Sequence, residues 1–511
     1  MSDSTNFFEL AIGRWLAAPQ TGVLETDDGR LSTYADIEHL SARFASLLQR
    51  CGCEPGTWVA VCTEKSRESF ALYLACLRAC LVYLPLNTAY RPAELTYFLT
   101  DAKPRVLVCP QSIADALGTA AGASGVRHVF ALDEHGHGSL ADAAAGAGAS
   151  FETVDRAPDD IAAVLYTSGT TGRPKGATIS CRAIAYAAQT LGDLWTFSRD
   201  DVLLHALPIF HGHGLFVACN VALAAGARMI FQQKFQLDAI LRALPRATVF
   251  MGVPTFYHRM LGDPRFTRES FAHLRLATCG SAPLSPTIQE QFEQRYGLSI
   301  VQRYGTTETM IITSNPVRGE RRPGSVGIAL PGVDLRIADA GDKALPDGGI
   351  GMIQVRGAGL FSGYWNMPDK TAEDFTADGF FRTGDLGTRA VDGHVSITGR
   401  AKDLIISGGY NVYPVEVETV LNAMPGVGEA AVIGVPHADF GEAVTAVVIR
   451  RPAEVPVSAE HLIARAKGLL ANYKVPKFVV FVDDLPRNAL GKIQKNVLRE
   501  TYKSLGESGS E

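Results

Sequence analysis

The sequence lacks any run of about 18 apolar residues, the length that a membrane-spanning helix needs. Its start also lacks the basic stretch and apolar core of a secretory signal peptide. The nine cysteines include no CxxC pair, and none follows Cys279. Most of them stand among apolar residues, as Cys76 and Cys80 do. These features predict a cytoplasmic protein without a membrane span, whose thiols are reduced and buried.

A strong excess of one charge is missing as well. The net charge is -5 over 511 residues, which argues against nucleic acid as the main partner. Heptad and solenoid repeats are absent. So are the Walker A spacing and the Gly-x-Ser-x-Gly elbow, so neither a P-loop nor a serine nucleophile is predicted.

The length and the order of apolar segments indicate the fold class. A chain of 511 residues is too long for one core and predicts two to four domains. Between residues 30 and 110, helical stretches alternate with apolar strands such as residues 58–62 and 106–109. Strands separated by helices imply βαβ units, so we predict an α/β fold with mainly parallel sheets.

The densest motif lies at residues 166–176, after an apolar strand at 161–165. It holds four Ser/Thr hydroxyls, three glycines and a lysine. Glycines let successive N–H groups point inward, and the hydroxyls and the lysine add further donors. The motif therefore predicts a cradle for phosphate oxygens, with these members: Thr167, Ser168, Gly169, Thr170, Thr171, Gly172 and Lys175.

Further loops follow other predicted strands. Open α/β sheets bind ligands at the carboxyl ends of their strands, so these loops are expected to converge. These segments contain the following candidates: His211 after residues 202–207, Gly280, Ser281, Ala282 and Pro283 after residues 274–279, and Arg303, Tyr304, Gly305, Thr306, Thr307 and Glu308 in the strand and loop at residues 300–308.

With these motifs in this order, the chain resembles the adenylate-forming superfamily of acyl-CoA synthetases, luciferases and peptide-synthetase adenylation domains. The resemblance implies ATP, Mg²⁺ and coenzyme A as cofactors. It implies that Tyr304 stacks on adenine, Thr307 meets the α-phosphate and Glu308 holds Mg²⁺, a hard cation that prefers carboxylate oxygen. Asp385 would accept the ribose hydroxyls with Arg400 beside it. His211 would line the acyl pocket, the alternative being a structural histidine.

The resemblance also implies two domains. Residues 1–400 would form the large domain, and residues 401–511 a mobile α+β lid with its hinge at Lys402. Gly408, Gly409 and Tyr410 would turn toward coenzyme A, while Lys492 would reach the carboxylate and the α-phosphate. Because Lys492 stands in a basic, glycine-marked loop, we also expect it to be a target for a protein acetyltransferase, which would remove its charge. The sequence gives no indication of the oligomeric state.

One departure from the family pattern concerns the acid. Many relatives carry Gln-Gly-Tyr-Gly where this chain has Gln302-Arg303-Tyr304-Gly305. By the resemblance this position lines the acyl pocket, where arginine shortens the cavity and adds a cation that is costly to bury unpaired. A second carboxylate on the substrate would pair with it, which predicts a small dicarboxylate such as malonate. Ser281 and Arg259 are the further candidates for this pocket. A surface arginine, or one paired with a protein acid, is the alternative.

Longer stretches, at residues 84–90, 205–211, 252–257 and 436–441, resemble malonyl-CoA synthetases, and the resemblance runs over residues 30–502. It implies activation of malonate, or methylmalonate, to an acyl adenylate and transfer to coenzyme A in fatty acid metabolism. A CoA ligase for another small acid, an adenylation module that loads a carrier protein, and a non-catalytic nucleotide-binding protein remain as alternatives.

Overall fold

The structure is a computed structural model that describes residues 6–167, 174–437, 439–451, 457–488 and 491–506. Helices and strands alternate along its first part. In chain order they are α1 (Phe7–Leu16), β1 (Gly22–Thr26), β2 (Leu31–Thr33), α2 (Tyr34–Arg50), β3 (Trp58–Val61), α3 (Arg67–Arg78), β4 (Val82–Pro85), α4 (Pro92–Ala102), β5 (Val106–Cys109), α5 (Gln111–Leu117), α6 (Thr119–Ala123), β6 (His128–Ala131), α7 (Ser139–Ala145), β7 (Ile161–Thr167), β8 (Lys175–Ser180) and α8 (Cys181–Leu194).

The second part continues the alternation and includes a π-helix. Its elements are β9 (Val202–His205), the π-helix (His213–Cys219), α9 (Asn220–Ala225), β10 (Arg228–Phe231), α10 (Leu237–Ala243), a 3₁₀ turn (Leu244–Arg246), β11 (Val249–Gly252), α11 (Pro254–Gly262), a 3₁₀ turn (Glu269–Phe271), β12 (Leu276–Cys279), α12 (Pro286–Tyr296) and β13 (Val301–Tyr304).

The last part is richer in strands. It comprises β14 (Thr313–Ser314), β15 (Ile328–Ala329), β16 (Val333–Ala338), β17 (Gly351–Gly357), β18 (Gly363–Tyr364), α13 (Pro368–Asp374), β19 (Phe381–Arg389), β20 (Val395–Arg400), a 3₁₀ turn (Ala401–Asp403), β21 (Ile405–Ser407), β22 (Tyr410–Val412), α14 (Pro414–Asn422), β23 (Val427–His437), β24 (Gly441–Arg450), α15 (Ala459–Lys467), a 3₁₀ turn (Asn472–Lys474), β25 (Phe478–Val482), α16 (Lys495–Tyr502) and a 3₁₀ turn (Lys503–Gly506).

Four sheets organise the described residues. A nine-stranded sheet has the order β15-β14-β13-β12-β11-β9-β10-β1-β2, and a seven-stranded sheet has the order β18-β8-β7-β4-β3-β5-β6. The central strands of both sheets are parallel, as βαβ alternation predicts, and the antiparallel pairings lie toward their edges. The predicted α/β class with mainly parallel sheets is therefore confirmed for these two sheets.

The other two sheets are mainly antiparallel. The third, β16-β17-β19-β20, has only antiparallel pairs and was missed by the sequence analysis. Its strands follow one another without intervening long helices, so they pair as a meander. The fourth sheet, β22-β21-β24-β23 with β25 beside β24, lies in the C-terminal part that was predicted to be α+β. The boundary at residue 400 itself stays a prediction, and α14 packs against β20 across it.

Apolar side chains of the two large sheets and the helices between them form the main core. Trp15, Trp195, Tyr73, Phe44 and Phe216 are among its largest buried side chains. Burying a large apolar side chain stabilises a fold by about 1.5–3 kcal/mol, so these residues fix the relative position of the sheets. All nine cysteines are buried and free, as the sequence predicted. None of the helices that the structure describes is long and apolar enough to cross a membrane.

Candidate active site

The segments that follow four neighbouring parallel strands meet at one edge of the nine-stranded sheet. The strands stand in the order β9-β11-β12-β13 and run in the same direction. Because the carboxyl ends of parallel strands share an edge, the π-helix, α11, the turn at Gly280 and the loop at Gly305 come together there. This is the edge at which the sequence predicts a ligand site.

Arg303 lies near the end of β13 and is 4% exposed. A Cβ built on Gly280 would lie 2.3 Å from the Cζ of Arg303, so the guanidinium fills the space over that glycine. Its Nε and Nη2 are buried and have no hydrogen-bond partner among the residues that the structure describes. Burial lowers the pKa of Arg303 to about 10, so it stays charged at neutral pH. The arginine is thus a buried cation that no acid pairs with among the described residues.

His213 and Ser281 extend this polar site, and we call the group Arg303, Gly280, Ser281 and His213 the Arg303 pocket. His213 Nδ1 lies 3.1 Å from Ser281 Oγ, and its Nε2 is buried without a partner among the described residues. Burial and then the charge of Arg303 lower the pKa of His213 well below its usual value, so the ring is neutral. Ser281 adopts φ +70°, a left-handed conformation that is rare outside glycine and clusters at functional sites. The pocket thus has hydrogen-bonding groups left over for a ligand.

The structure does not place the two other predicted pocket residues in this group. His211 packs against Phe210, and burial lowers its pKa to about 4, but Ser281 pairs with His213 instead. Arg259 is exposed on α11, with its guanidinium 5.1 Å from the centre of the Phe235 ring. Tyr257, two positions earlier, is fully buried, and residues two apart on a helix point about 200° from each other. Arg259 is therefore turned away from the side of α11 that Tyr257 occupies, and its role in the acid pocket stays a prediction.

Tyr304 and Arg400 both bind Asp385. Successive side chains of a strand point to opposite faces, so Tyr304 leaves β13 on the side away from Arg303. Its hydroxyl donates to Asp385 Oδ2 at 2.6 Å, and Arg400 Nε lies 2.7 Å from Asp385 Oδ1. Asp385 and Arg400 are directly paired across β19 and β20, which fixes this geometry. The antiparallel sheet thus supplies a charged cluster beside the loop of the parallel sheet.

Glu308 accepts two hydroxyl hydrogen bonds through one carboxylate oxygen. Thr167 Oγ1 lies 3.3 Å and the Tyr364 hydroxyl 3.1 Å from Glu308 Oε1. Lys175, nearby, stands 4.0 Å from the centre of the Tyr364 ring and 3.8 Å from an oxygen of Asp374. These residues join the end of the predicted phosphate motif to the Glu308 loop.

Some of the residues predicted to bind the nucleotide lie in the described part of the chain, and others lie outside it. Ser168, Gly169, Thr170, Thr171 and Gly172 lie outside the described residues, whereas the flanking Thr167 and Lys175 pair across β7 and β8. Ala282 and Pro283 follow Ser281 in the turn before α12, and Thr306 and Thr307 stand in the loop after β13. At Gly305 a Cβ would lie 1.7 Å from the Met310 carbonyl oxygen, so only glycine fits that turn.

Lys492 comes from the C-terminal part and enters the same cluster. Its side chain retains access to solvent, but protein atoms surround it and Arg400 stands close by. These two effects, in that order, lower the pKa of Lys492 to about 8 despite the nearby Asp385 and Asp403. The lysine predicted to act on the phosphate and the acid thus lies within electrostatic reach of the Asp385–Arg400 pair.

The predicted hinge and coenzyme A residues lie in different surroundings. Lys402 stands in the 3₁₀ turn after β20, where burial lowers its pKa. Gly408 and Gly409 have φ +58° and +80° and form the turn between β21 and β22. Both angles suit glycine and give the tight hairpin that a two-residue turn requires. Tyr410 is 60% exposed and stacks on Tyr473, so this edge faces solvent.

His213 and Tyr364 are the site residues that the sequence analysis missed. His213 stands two residues after His211 in a motif that offered both histidines, and only the π-helix decides which one turns toward Ser281. Tyr364 lies on β18, which pairs with β8 from a distant part of the chain. No local pattern marks such a residue.

Comparisons with known proteins agree over nearly the whole chain. The profile of the AMP-binding enzyme family matches residues 15–365, and that of the AMP-binding enzyme C-terminal domain matches residues 416–492. An indoleacetate–CoA ligase of Aromatoleum aromaticum is 35% identical over 92% of this chain and 92% of its own. A malonate–CoA ligase of Arabidopsis thaliana is 34% identical over 89% of this chain and 79% of its own. The crystal structure of ATP-bound MatB from Rhodopseudomonas palustris is 52% identical, with a TM-score of 0.96 over 98% of this chain and all of that one.

Proposed function

The chain belongs to the AMP-binding enzyme family, and on this basis we propose that it activates malonate with ATP and transfers it to coenzyme A. The products are malonyl-CoA, AMP and pyrophosphate. We propose methylmalonate, which like malonate carries two carboxylates, as a second substrate. The protein is thus an AMP-forming acid–thiol ligase.

The reaction needs two steps because a free carboxylate is a poor acyl donor. In the first step a malonate oxygen attacks the α-phosphorus of ATP, the bond to the β-phosphate oxygen breaks, and pyrophosphate leaves. In the second, the coenzyme A sulfur, having lost its proton to solvent, attacks the acyl carbon and AMP leaves. Positioning and electrostatic stabilisation of two anions therefore matter more than a protein nucleophile.

The observation that supports malonate is the guanidinium of Arg303, whose Nε and Nη2 have no partner in the described part of the chain. A buried cation without a counter-ion is costly, and a carboxylate of the ligand would offset that cost. Nε and Nη2 offer a two-donor edge that suits bidentate binding of a carboxylate. His213 and Ser281 add polar atoms to the same pocket, and the neutral ring of His213 adds no second charge. The distal carboxylate of malonate would occupy this pocket, leaving the proximal one for ATP.

The other half of the site suits a magnesium nucleotide. Asp385, already oriented by Tyr304 and Arg400, would accept the ribose hydroxyls, and Thr307 would meet the α-phosphate. Glu308, with the Thr167 hydroxyl beside it, offers the hard oxygen donors that Mg²⁺ takes from a protein when phosphates supply the rest. Bound Mg²⁺ would neutralise phosphate charge. Lys492 would do the same at the α-phosphate and the attacking carboxylate.

The C-terminal part would serve both steps by rotating. Lys402 would be the hinge, and Gly408, Gly409 and Tyr410 would replace Lys492 at the cleft when coenzyme A binds. The exposure of these three residues and the influence of Arg400 on the pKa of Lys492 support an arrangement suited to the first step. The indoleacetate–CoA ligase shows that a relative of similar identity carries a name for an aromatic acid. Arg303 disfavours an aromatic acid here, because a second carboxylate would be missing.

A pyrophosphate-release assay with acetate, malonate, methylmalonate, succinate and oxalate tests this proposal. With coenzyme A present, malonate should give the highest kcat/KM and acetate a value at least about 100-fold lower, since acetate leaves Arg303 unpaired. Equal rates with acetate and malonate would contradict a preference for malonate and favour a CoA ligase for another small acid. Release without any acyl-CoA product would favour an adenylation module, and no release with any acid would favour a non-catalytic nucleotide-binding protein.

We also propose a cytoplasmic location and acetylation of Lys492. The free, buried cysteines suit a reducing compartment. A pKa of about 8 leaves an appreciable neutral fraction of Lys492 near pH 7.5, and only the neutral amine attacks an acetyl donor. Mass spectrometry of the protein isolated from its cells tests the acetylation. If no acetylated Lys492 were found under any growth condition, the proposal would be contradicted.

A further inference from the structure

Gly491, directly before Lys492, touches the large part of the protein at Thr255. Thr255 lies in the first turn of α11, and a Cβ built on Gly491 would lie 2.9 Å from its Cγ2 and 3.0 Å from its Oγ1. Gly491 also has φ +74°, which disfavours any side chain. The two segments therefore meet more closely than any residue but glycine allows.

The helix that receives Gly491 also forms a wall of the Arg303 pocket. Tyr257, in the same first turn, is fully buried, and its hydroxyl donates to the carbonyl of Thr278 at 2.6 Å. Its phenol is close enough to Arg303 to influence the pKa of the guanidinium. One short helix thus contacts the acid pocket on one side and the segment with Lys492 on the other.

On its other side, Lys492 is held from within the C-terminal part by Arg487. Arg487 Nη1 donates to the Gly491 carbonyl at 2.9 Å, and Nη2 pairs with Glu429 on β23. The Lys492 N–H donates to Asn488 Oδ1 at 2.9 Å, and Asn488 N–H donates to the Lys492 carbonyl at 2.9 Å. Glu429, Arg487 and the Gly491 carbonyl form a continuous connection from a core strand to the lysine.

We propose that Thr255, Arg487 and Glu429 are positioning residues that hold Lys492 for adenylate formation. Arg487, fixed by Glu429, aims the Gly491–Lys492 peptide, and Thr255 sets how far the lysine enters the cleft. The inference rests on the proposed two-step reaction. Displacement of a catalytic group by about 1 Å costs up to about 100-fold in rate, so small changes at these residues should be measurable.

The two half-reactions, measured separately, test it on the full-length protein. ATP–pyrophosphate exchange with malonate reports the first, and malonyl transfer from synthetic malonyl-AMP to coenzyme A reports the second. Thr255→Met should fill the space at Gly491 and lower the exchange kcat about 10- to 100-fold, with KM for ATP and malonate changed less than threefold. Transfer from malonyl-AMP should stay within twofold of the unmodified protein.

Arg487→Met and Glu429→Gln test the contacts on the other side of Lys492. They also provide an independent test if Thr255→Met does not fold. Arg487→Met should also lower exchange about 10-fold or more and spare transfer. The double variant should be no slower than Arg487→Met alone, because both changes break one connection. Arg465→Met, the same change at an exposed arginine of α15, is the matched control and should leave both half-reactions unchanged.

The outcomes separate this inference from the proposed function. If none of the acids tested supports pyrophosphate exchange by the unmodified protein, the proposed function fails. If it exchanges normally and Thr255→Met and Arg487→Met do too, only the positioning roles are overturned. A parallel fall of both half-reactions together with a lower melting temperature would show a general structural role and would equally overturn them.

Discussion

Gly280 and Arg303 share one space: a Cβ on Gly280 would stand 2.3 Å from the Arg303 Cζ and 2.5 Å from its Nε and Nη1. The guanidinium is therefore seated on the bare backbone of the turn after β12. The end of one strand thus determines where the cation of the next strand lies.

Replacing Gly280 by Ala should displace the guanidinium and weaken acid recognition. We expect KM for malonate to rise about 10-fold or more while KM for ATP changes less than threefold. Steady-state kinetics with each substrate varied measure both. Gly192→Ala, at a helical glycine whose Cβ would meet nothing within 4 Å, is the matched control. An unchanged KM for malonate in Gly280→Ala would mean that Arg303 is not seated as described.

Arg303→Met should stabilise the free protein and abolish malonate use. The fall in the Arg303 pKa from 12.5 to about 10 corresponds to a penalty of about 3 kcal/mol for burying the charge. The penalty is present below pH 10 and is relieved only above it, because the arginine then loses its proton. We expect the free energy of unfolding near pH 7 to rise by about 1–3 kcal/mol. Meanwhile kcat/KM for malonate should fall at least about 100-fold.

Urea unfolding without malonate measures the change in stability, and unfolding with malonate measures whether the ligand still binds. Malonate should stabilise the unmodified protein and leave Arg303→Met unaffected, since only a ligand that binds the folded state stabilises it. Arg465→Met, at an exposed arginine of α15, should change neither quantity. Normal malonate kinetics in Arg303→Met would refute the assignment of the pocket.

Lys492 should make adenylate formation sensitive to alkaline pH. Its pKa is lowered to about 8, and the protonated form is the one that neutralises phosphate. The kcat/KM for ATP in pyrophosphate exchange should therefore fall as pH rises through about 8, because this quantity reports groups of the free enzyme. In Lys492→Arg the decline in kcat/KM with pH should disappear, whatever activity the variant retains. A pH profile that stays flat to pH 10 in the unmodified protein would contradict the role.

Lys492→Ala should block the first step and spare the second. Pyrophosphate exchange is expected to fall by two or more orders of magnitude, on the order of what a lost electrostatic contact to the transition state costs. Malonyl transfer from supplied malonyl-AMP should continue. If exchange proceeded at the unmodified rate, Lys492 would have no part in adenylate formation.

Glu308→Gln should raise the requirement for Mg²⁺. The amide keeps the shape and an oxygen that accepts from Thr167 and Tyr364, but it loses the charge that attracts a hard dication. We expect the Mg²⁺ concentration for half-maximal exchange to increase about 10-fold. Glu320→Gln, at an exposed glutamate, provides the control. Titration of Mg²⁺ into protein treated with a chelator is the measurement, and coincident titration curves would exclude Glu308 as a ligand.

Local patterns predicted the parallel strands and their loops correctly, since both are written in short stretches of sequence. The apolar run at residues 161–165 forms β7, which extends two residues further to Thr167, and the loop with Glu308 follows β13. The antiparallel sheet β16-β17-β19-β20 was missed because its strands carry no periodic pattern as clear as that of the βαβ units. For Arg259, proximity to Tyr257 in sequence says nothing about which side of α11 it occupies, so its role in the acid pocket stays a prediction.

Short stretches of sequence were enough to reveal the reactive groups: an arginine before Tyr304, a hydroxyl- and glycine-rich phosphate motif, and a lysine after glycine at residue 492. The packing of distant segments had to be seen to learn that Arg303 is buried with no acid beside it among the described residues, that His213 rather than His211 meets Ser281, and that Gly491 abuts Thr255. The physical reason is that burial, charge pairing and close approach depend on segments up to hundreds of residues apart. Side-chain identity is local, but the free energy of a charge depends on everything packed around it.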